Sequence, residues 1–287
     1  MKTYPAKLLL FGEYTILAGS HALAVPVHLW SGHWKRGDEP DPRLVGLGNY
    51  IAESEVADDF DLDAFSTDVE AGLHFASSIP QGFGLGSSAA ITSAVYDNYF
   101  SDPDDASLGE LVHKLSTIEA FYHGTSSGMD PLVSYLNAPV VLEGDRYRIT
   151  EVELGPDAPV VFLINSGIGR FTAPLVNLFK SRLKEQWYFD EIVKPMIVHV
   201  DHAIETFLTG QWEVFYEHLS LISQVENERF KEMMPEQVEF IWKQAAASPN
   251  ICMKLCGAGG GGFFMGFAKP GTDVEAELGV AVELVEL

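Results

Sequence analysis

Residues 79–90 read Ile79-Pro80-Gln81-Gly82-Phe83-Gly84-Leu85-Gly86-Ser87-Ser88-Ala89-Ala90, and the rest of the chain is best read outward from them. Glycine at every second position lets the backbone take positive φ values and come close to a ligand with no side chain in the way. Ser87 to Ala90 then open a helix-compatible segment. A glycine turn feeding a helix start presents unpaired N–H groups and the positive end of the helix dipole, which together favour a phosphate group. The Ser88 hydroxyl stands where it can also reach a metal ion on that phosphate. A tight turn with a serine cap accounts for three glycines equally well. The loop is not a Walker A loop, because no Gly-Lys-Ser/Thr follows. It also lacks the third glycine of the dinucleotide pattern.

Composition narrows the partners. The 287 residues suit one large domain or two small ones, and 47% are hydrophobic. No apolar run approaches the ~20 residues that span a bilayer, so a soluble protein is expected. At the N-terminus, Gly12 and Glu13 interrupt the apolar run before a signal-peptide core forms, which reads as a strand of a cytoplasmic protein. A formal net charge of −23 repels nucleic acid and anionic membranes. It also repels nucleotides, so a phosphate site must be made locally positive by backbone N–H groups, a few cations and magnesium. Cys252 and Cys256, with no second ligand pair at zinc spacing, read as reduced core residues.

On the N-terminal side of the loop, residues 6–27 read strand, turn, strand, punctuated by Gly12 and by Gly19-Ser20. Lys7 interrupts the first apolar run, as an edge lysine whose stem covers the core would. Trp30 and Trp34 read as core, and the acidic run Glu53 to Asp63 as a solvated helix or loop. On the C-terminal side, Ser107 and Glu110 form a capping box for a helix ending near Tyr122, and Gly124 can stop it. Glu119 lies at the margin of that helix's apolar stripe, and His123 reads as a helix-end cap. Strands are expected near 147–152 and 160–165, and helices over 174–185, 189–208, 212–222 and 235–247. A strand, glycine turn and strand are expected over 253–267, with a final strand in 280–287. Five glycines within Gly257 to Gly262 are more than a structural turn needs.

Residues 80–90 resemble the Pro-x-x-x-Gly-Leu-Gly-Ser-Ser-Ala loop of the GHMP kinases (galactokinase, homoserine kinase, mevalonate kinase, phosphomevalonate kinase). Pro5-Ala6-Lys7 with Gly12-Glu13 resembles the first motif of that family, and Gly257 to Gly262 the third. His123-Gly-Thr-Ser-Ser-Gly-Met-Asp130 resembles the mevalonate kinase segment whose aspartate faces the substrate hydroxyl, and Glu119 precedes Asp130 by the family's eleven positions. Arg170-Phe171-Thr172 is similar to the Arg-x-Thr that reaches the acyl substrate. Tyr14 departs from the histidine common in mevalonate kinases and is more familiar in phosphomevalonate kinases.

The resemblance implies an α+β two-lobed GHMP kinase fold: a ribosomal-protein-S5-like N-terminal lobe over residues 1–150 and a ferredoxin-like C-terminal lobe over 151–287, with the active site in the cleft between them. It implies ATP and Mg2+ as cofactors, with Pro80, Gln81, Gly82, Phe83, Gly84, Leu85, Gly86, Ser87, Ser88, Ala89 and Ala90 around the nucleotide and Ser88 and Glu119 on the metal. Lys7 and Asp130 are the implied catalytic pair; Glu13, Tyr14, Arg170 and Thr172 are the implied substrate residues. The implied reaction moves the γ-phosphoryl group of ATP to an alcohol, mevalonate first, with phosphomevalonate or a sugar as the alternative. A non-catalytic nucleotide sensor is the alternative of another class. The partners are the small alcohol and Mg-ATP, with a homodimer as one option for the assembly.

Overall fold

The computed structural model describes residues 2–101, 106–152, 154–169 and 172–287. In chain order the elements are β1 (Tyr4–Phe11), β2 (Ala22–Arg36), α1 (Pro42–Ala52), α2 (Leu62–Glu70), β3 (Leu73–Ser77), α3 (Ser87–Tyr99), α4 (Leu108–His123), α5 (Met129–Leu136), β4 (Val140–Glu143), β5 (Arg146–Ile149) and β6 (Val160–Asn165). They continue with α6 (Thr172–Arg182), α7 (Gln186–Tyr188), α8 (Lys194–Leu208), α9 (Trp212–Arg229), α10 (Glu236–Ala247), β7 (Ile251–Leu255), β8 (Phe263–Ala268), α11 (Val274–Leu278) and β9 (Glu283–Val285). One sheet has the strand order β1-β2-β4-β5 with β3 paired to β2, and the other has the order β7-β8-β6-β9.

Contacts group the chain into two units. The first comprises Met1–Lys7, Ala24–Gln81 and Leu85–Val140; the second comprises Leu8–Leu23, Gly82–Gly84 and Val141–Leu287. This differs from a single cut near residue 150, because β1 and β2 each contribute residues to both units.

In the first unit, β3 runs antiparallel to β2 with Gly32 opposite Ser77 and Arg36 opposite Leu73. Trp34, expected in the core, is half-buried and packs edge-on against Phe75 at 5.2 Å and Tyr99 at 6.3 Å. Helix α3 is rich in small residues, so it can be buried on most sides: Ala89, Ala90, Thr92, Ser93, Ala94, Val95 and Tyr96 are all buried. Its Ser93 hydroxyl donates to the carbonyls of Ala89 and, on α5, Pro131. The capping box of α4 is present with both of its hydrogen bonds, and Gly124 ends the helix.

In the second unit β8 runs antiparallel to β6 and to β7, and β9 antiparallel to β6, and the path β6, helices, β7, β8, α11, β9 with that strand order is the split β-α-β arrangement of ferredoxin-like sheets. Phe11, Phe207, Phe215 and Phe267 form its aromatic centre, with ring centroids 5.4–6.4 Å apart. Two helices differ from the sequence reading. The segment expected to be one helix over 189–208 enters through α7 and a π-helical turn, Phe189–Val193, before α8. Pro195 sets the start of α8, since it carries no N–H for an upstream carbonyl. Helix α9 runs seven residues past the expected end at 222 because its buried stripe of Phe215, Leu219 and Ile222 continues into Glu226.

Candidate functional site

The glycine loop delivers the chain to α3 as its sequence requires. Gly82, Gly84 and Gly86 have φ values of 79°, 77° and 75°, the left-handed region that glycine enters freely. Gly86 is also the helix N-cap, and its need for glycine is double. A Cβ there would sit 2.7 Å from Cγ of Lys7. The first intrahelical bond runs from the Ala90 N–H to the Gly86 carbonyl, so the N–H groups of Ser87 to Ala89 precede the helical ladder and are oriented outward from its start. The Lys7 backbone N–H donates to the Leu85 carbonyl at 3.0 Å, which fixes β1 alongside the end of the loop.

Around that helix start the first unit gathers four side chains. Lys7 is buried, and its Nζ lies 2.6 Å from Oδ2 of Asp130, whose side chain keeps 38% of its exposure. Asp130 sits in the first turn of α5, which Gly128 caps at φ 77°. The Ser88 hydroxyl donates to Glu119 Oε1 at 3.2 Å, and Ser126 donates to Glu119 Oε2 at 2.5 Å. The Ser126 Oγ in turn accepts the Gly128 N–H at 2.9 Å, tying the 124–128 loop to α4. Burial, and then the charge of Asp130, push the Glu119 carboxyl up to about 7, against the pull of Ser126, Lys7 and Ser88.

The donor set answers whether magnesium fits. Ser88 Oγ and the buried Glu119 Oε1 lie 3.2 Å apart, two hard oxygens of the kind magnesium takes beside phosphate and water. The residues present therefore fit Mg2+. His123, read from the sequence as a helix-end cap, brings its Nε2 within 3.0 Å of the Ser88 Oγ. It belongs to this cluster, and only its place one α-helical turn after Glu119 could have signalled it.

The second unit holds Glu13 and Tyr14, and it holds them inside. Glu13 is 4% exposed and accepts from Lys254 Nζ at 2.6 Å. Tyr14 has φ 62° and ψ −48°, a conformation costly for a bulky residue by on the order of 1–3 kcal/mol. Its ring packs against Phe179 and Phe230, and its hydroxyl donates to the Ala258 carbonyl at 2.6 Å. The proton of the tyrosine is directed to Ala258, and Oε1 of Glu13 accepts from Lys254. The third glycine segment is similarly backed. Gly260 N–H donates to the Met233 carbonyl and Gly262 N–H to that of Ile168, and a Cβ on Gly259 would lie 2.4 Å from the Met233 oxygen. Phe83 of the first glycine loop packs at a tilt against Phe263 in the same unit. Arg170 and the side chain of Thr172 lie outside the described residues. Cys252 and Cys256 are free thiols, in keeping with the expectation of reduced core residues.

Comparison with known proteins gives three kinds of likeness. The family description "GHMP kinases N terminal domain" matches residues 49–138. A mevalonate kinase of Thermococcus gammatolerans is 24% identical over 98% of this chain and 91% of the relative. Among solved structures, mevalonate kinase of L. major in complex with R-mevalonate superposes with a TM-score of 0.69 at 15% identity, covering 99% of this chain and 94% of that one. Phosphomevalonate kinase of Streptococcus pneumoniae in complex with phosphomevalonate and AMPPNP gives 0.67 at 16% identity, covering 99% of both chains. At that identity the structural likeness establishes the fold.

Proposed function

We propose that this chain, which has the GHMP kinase fold and carries that family's N-terminal domain, is an ATP-dependent mevalonate kinase. The observation that carries the reading is the Lys7–Asp130 pair beside Ser88 and Glu119 at the start of α3. The choice of alcohol follows the name of the curated relatives that span nearly the whole chain. Tyr14 gives no reason to prefer phosphomevalonate, since its hydroxyl is turned to Ala258.

Mg-ATP, when bound, supplies the γ-phosphoryl group and a leaving group whose charge the metal screens. Everything else is positioning and charge neutralisation by the chain. The N–H groups at the start of α3 bind phosphate oxygens, and Ser88 with Glu119 would hold the metal. The Asp130 carboxylate accepts or orients the proton of the alcohol as its oxygen bonds to phosphorus and the bond to ADP breaks. Lys7 fixes that carboxylate through a charge-assisted hydrogen bond and offsets the negative charge of the transferring group. Arg170, by the resemblance of its segment, binds the carboxylate of the substrate bidentately. The same reading makes the protein cytoplasmic, with the alcohol and Mg-ATP as its partners, and leaves a homodimer to be tested by light scattering.

The test is a coupled ADP-release assay of the purified protein with mevalonate, phosphomevalonate and a panel of sugars at equal concentration and saturating Mg-ATP. Fastest turnover is expected with mevalonate. Faster turnover of phosphomevalonate or a sugar would overturn the substrate, and ATP binding with no turnover on any alcohol would favour the sensor.

A further inference from the structure

Three ionisable side chains of the second unit are sealed together with no role in the chemistry above. Glu13 follows Gly12 in the turn after β1, Glu226 lies in the last turn of α9, and Lys254 is the penultimate residue of β7. Lys254 is 1% exposed and Glu226 equally so. The Lys254 ammonium donates to Glu13 Oε1 at 2.6 Å and to the Leu255 carbonyl at 2.8 Å, and it faces the Phe11 ring at 5.4 Å. The ammonium thus makes two hydrogen bonds and one cation–π contact. Glu226 Oε2 accepts the Leu255 N–H at 2.7 Å, so the end of β7 is gripped through both Lys254 and the Leu255 backbone.

Stability alone is a poor reason for such a cluster, because apolar side chains of the same volume often replace buried ion pairs at no loss. Directional bonds, in contrast, fix register. Glu13 adjoins Tyr14, the residue held at φ 62°, whose hydroxyl reaches Ala258. Lys254 and Leu255 directly precede Gly257–Gly262, a segment with five positive-φ glycines and little intrinsic preference for one shape. The cluster therefore joins a strained turn to the entry of a pliable loop.

We propose that Lys254 is a positioning residue: with Glu13 and Glu226 it locks the Gly12–Tyr14 turn to the end of β7 and so holds the Gly257–Gly262 loop in one shape, a segment that its resemblance to the third kinase motif ties to turnover. The inference rests on the kinase reading for its effect on turnover, though not for its effect on the loop.

The experiment compares the full-length protein with Lys254→Met and with Glu13→Gln, which keeps the shape of the side chain. Thermal melting, kcat and KM for both substrates, and amide hydrogen exchange across 257–262 are measured on each. In both variants the loop amides exchange about tenfold or more faster, and kcat falls about tenfold to a hundredfold while the KM for ATP and mevalonate stay within about threefold. The double variant is no slower than the slower single one, because the two residues act as a unit. Unchanged loop exchange in Glu13→Gln overturns the proposal, as does wild-type kcat in a folded Lys254→Met. If the wild-type protein phosphorylates no alcohol, the kinase reading fails by itself, and loop exchange still decides whether the cluster positions the loop. Should Lys254→Met not fold, Glu13→Gln carries the decision.

Discussion

One lysine and two carboxylates occur twice in this protein, as Lys7, Asp130 and Glu119 in the first unit and as Lys254, Glu13 and Glu226 in the second. The ingredients match and the surroundings do not. Asp130 keeps 38% of its side-chain exposure, whereas Glu13 and Lys254 keep 2% and 1%. In the first cluster Ser88 and His123 flank Glu119 at the start of α3, where a phosphate and its cation can be met. In the second every described bond leads back to the protein: to Leu255, to the Phe11 ring, to one another. In the first cluster Asp130 reaches solvent and can exchange partners with a ligand, although Lys7 and Glu119 beside it are buried, whereas in the second every member is sealed. The contrast supports the proposed chemistry for the first and a positioning role for the second.

The sharpest way to break this contrast is Asp130→Asn, which removes the carboxylate and keeps its shape. Turnover is expected to fall by about 10² or more with the KM for ATP nearly unchanged. Equal loss of nucleotide affinity and turnover would move Asp130 into the binding machinery.

The second cluster offers a stability test in which pH is the variable. Burial raises the Glu226 carboxyl to about 8, with the charge of Glu13 adding to that and Lys254 opposing it. The unfolded chain ionises it near ~4.3. Between these values the folded state holds a proton that the unfolded state does not. Stability from this group is therefore fully present below the unfolded value and falls as pH rises towards 8, by about 1.4 kcal/mol per pH unit for one proton. Denaturant titrations of Glu226→Gln should show a shallower decline across that window, and a slope equal to that of the wild-type protein would show that Glu226 does not titrate there.

A smaller effect separates the proposed metal ligands from their neighbours. Ser88→Ala and Glu119→Gln should each raise the magnesium concentration for half-maximal activity by about tenfold. A magnesium titration unchanged in both variants would remove them from the shell. Smallest of all, Tyr14→Phe keeps the ring and loses the bond to Ala258, which should cost about 1 kcal/mol of stability in chemical denaturation. If it instead multiplies the KM for mevalonate tenfold with stability intact, the tyrosine does meet substrate.

Much of the first cluster was legible in the sequence. Local patterns carry the glycine turn before two serines and the capping box, and the resemblance to kinase motifs carries the glutamate eleven positions before an aspartate and the lysine of the first strand. The second cluster was not legible. Glu226 stands where the stripe Phe215, Leu219, Ile222 predicts an apolar residue, so an acid there reads as the end of the helix, and the expected end at 222 fell short for that reason. Lys254 is likewise a charge in an apolar strand, buried beside Met253 and Leu255. A charge in a core position has no local signature of its partner when that partner is 241 residues away, as Glu13 is.

While the fold class and the kinase chemistry came from the resemblance of its motifs, the sequence by itself determined which segment turns and where each helix is capped. These are short-range properties, set by backbone sterics, capping and hydrophobic period. Only the tertiary structure decided which charges face a ligand and which are sealed, that Tyr14 spends its hydroxyl on Ala258, and that His123 stands beside Ser88. Burial and long-range pairing set those outcomes, and both arise only when segments distant in the chain are packed together.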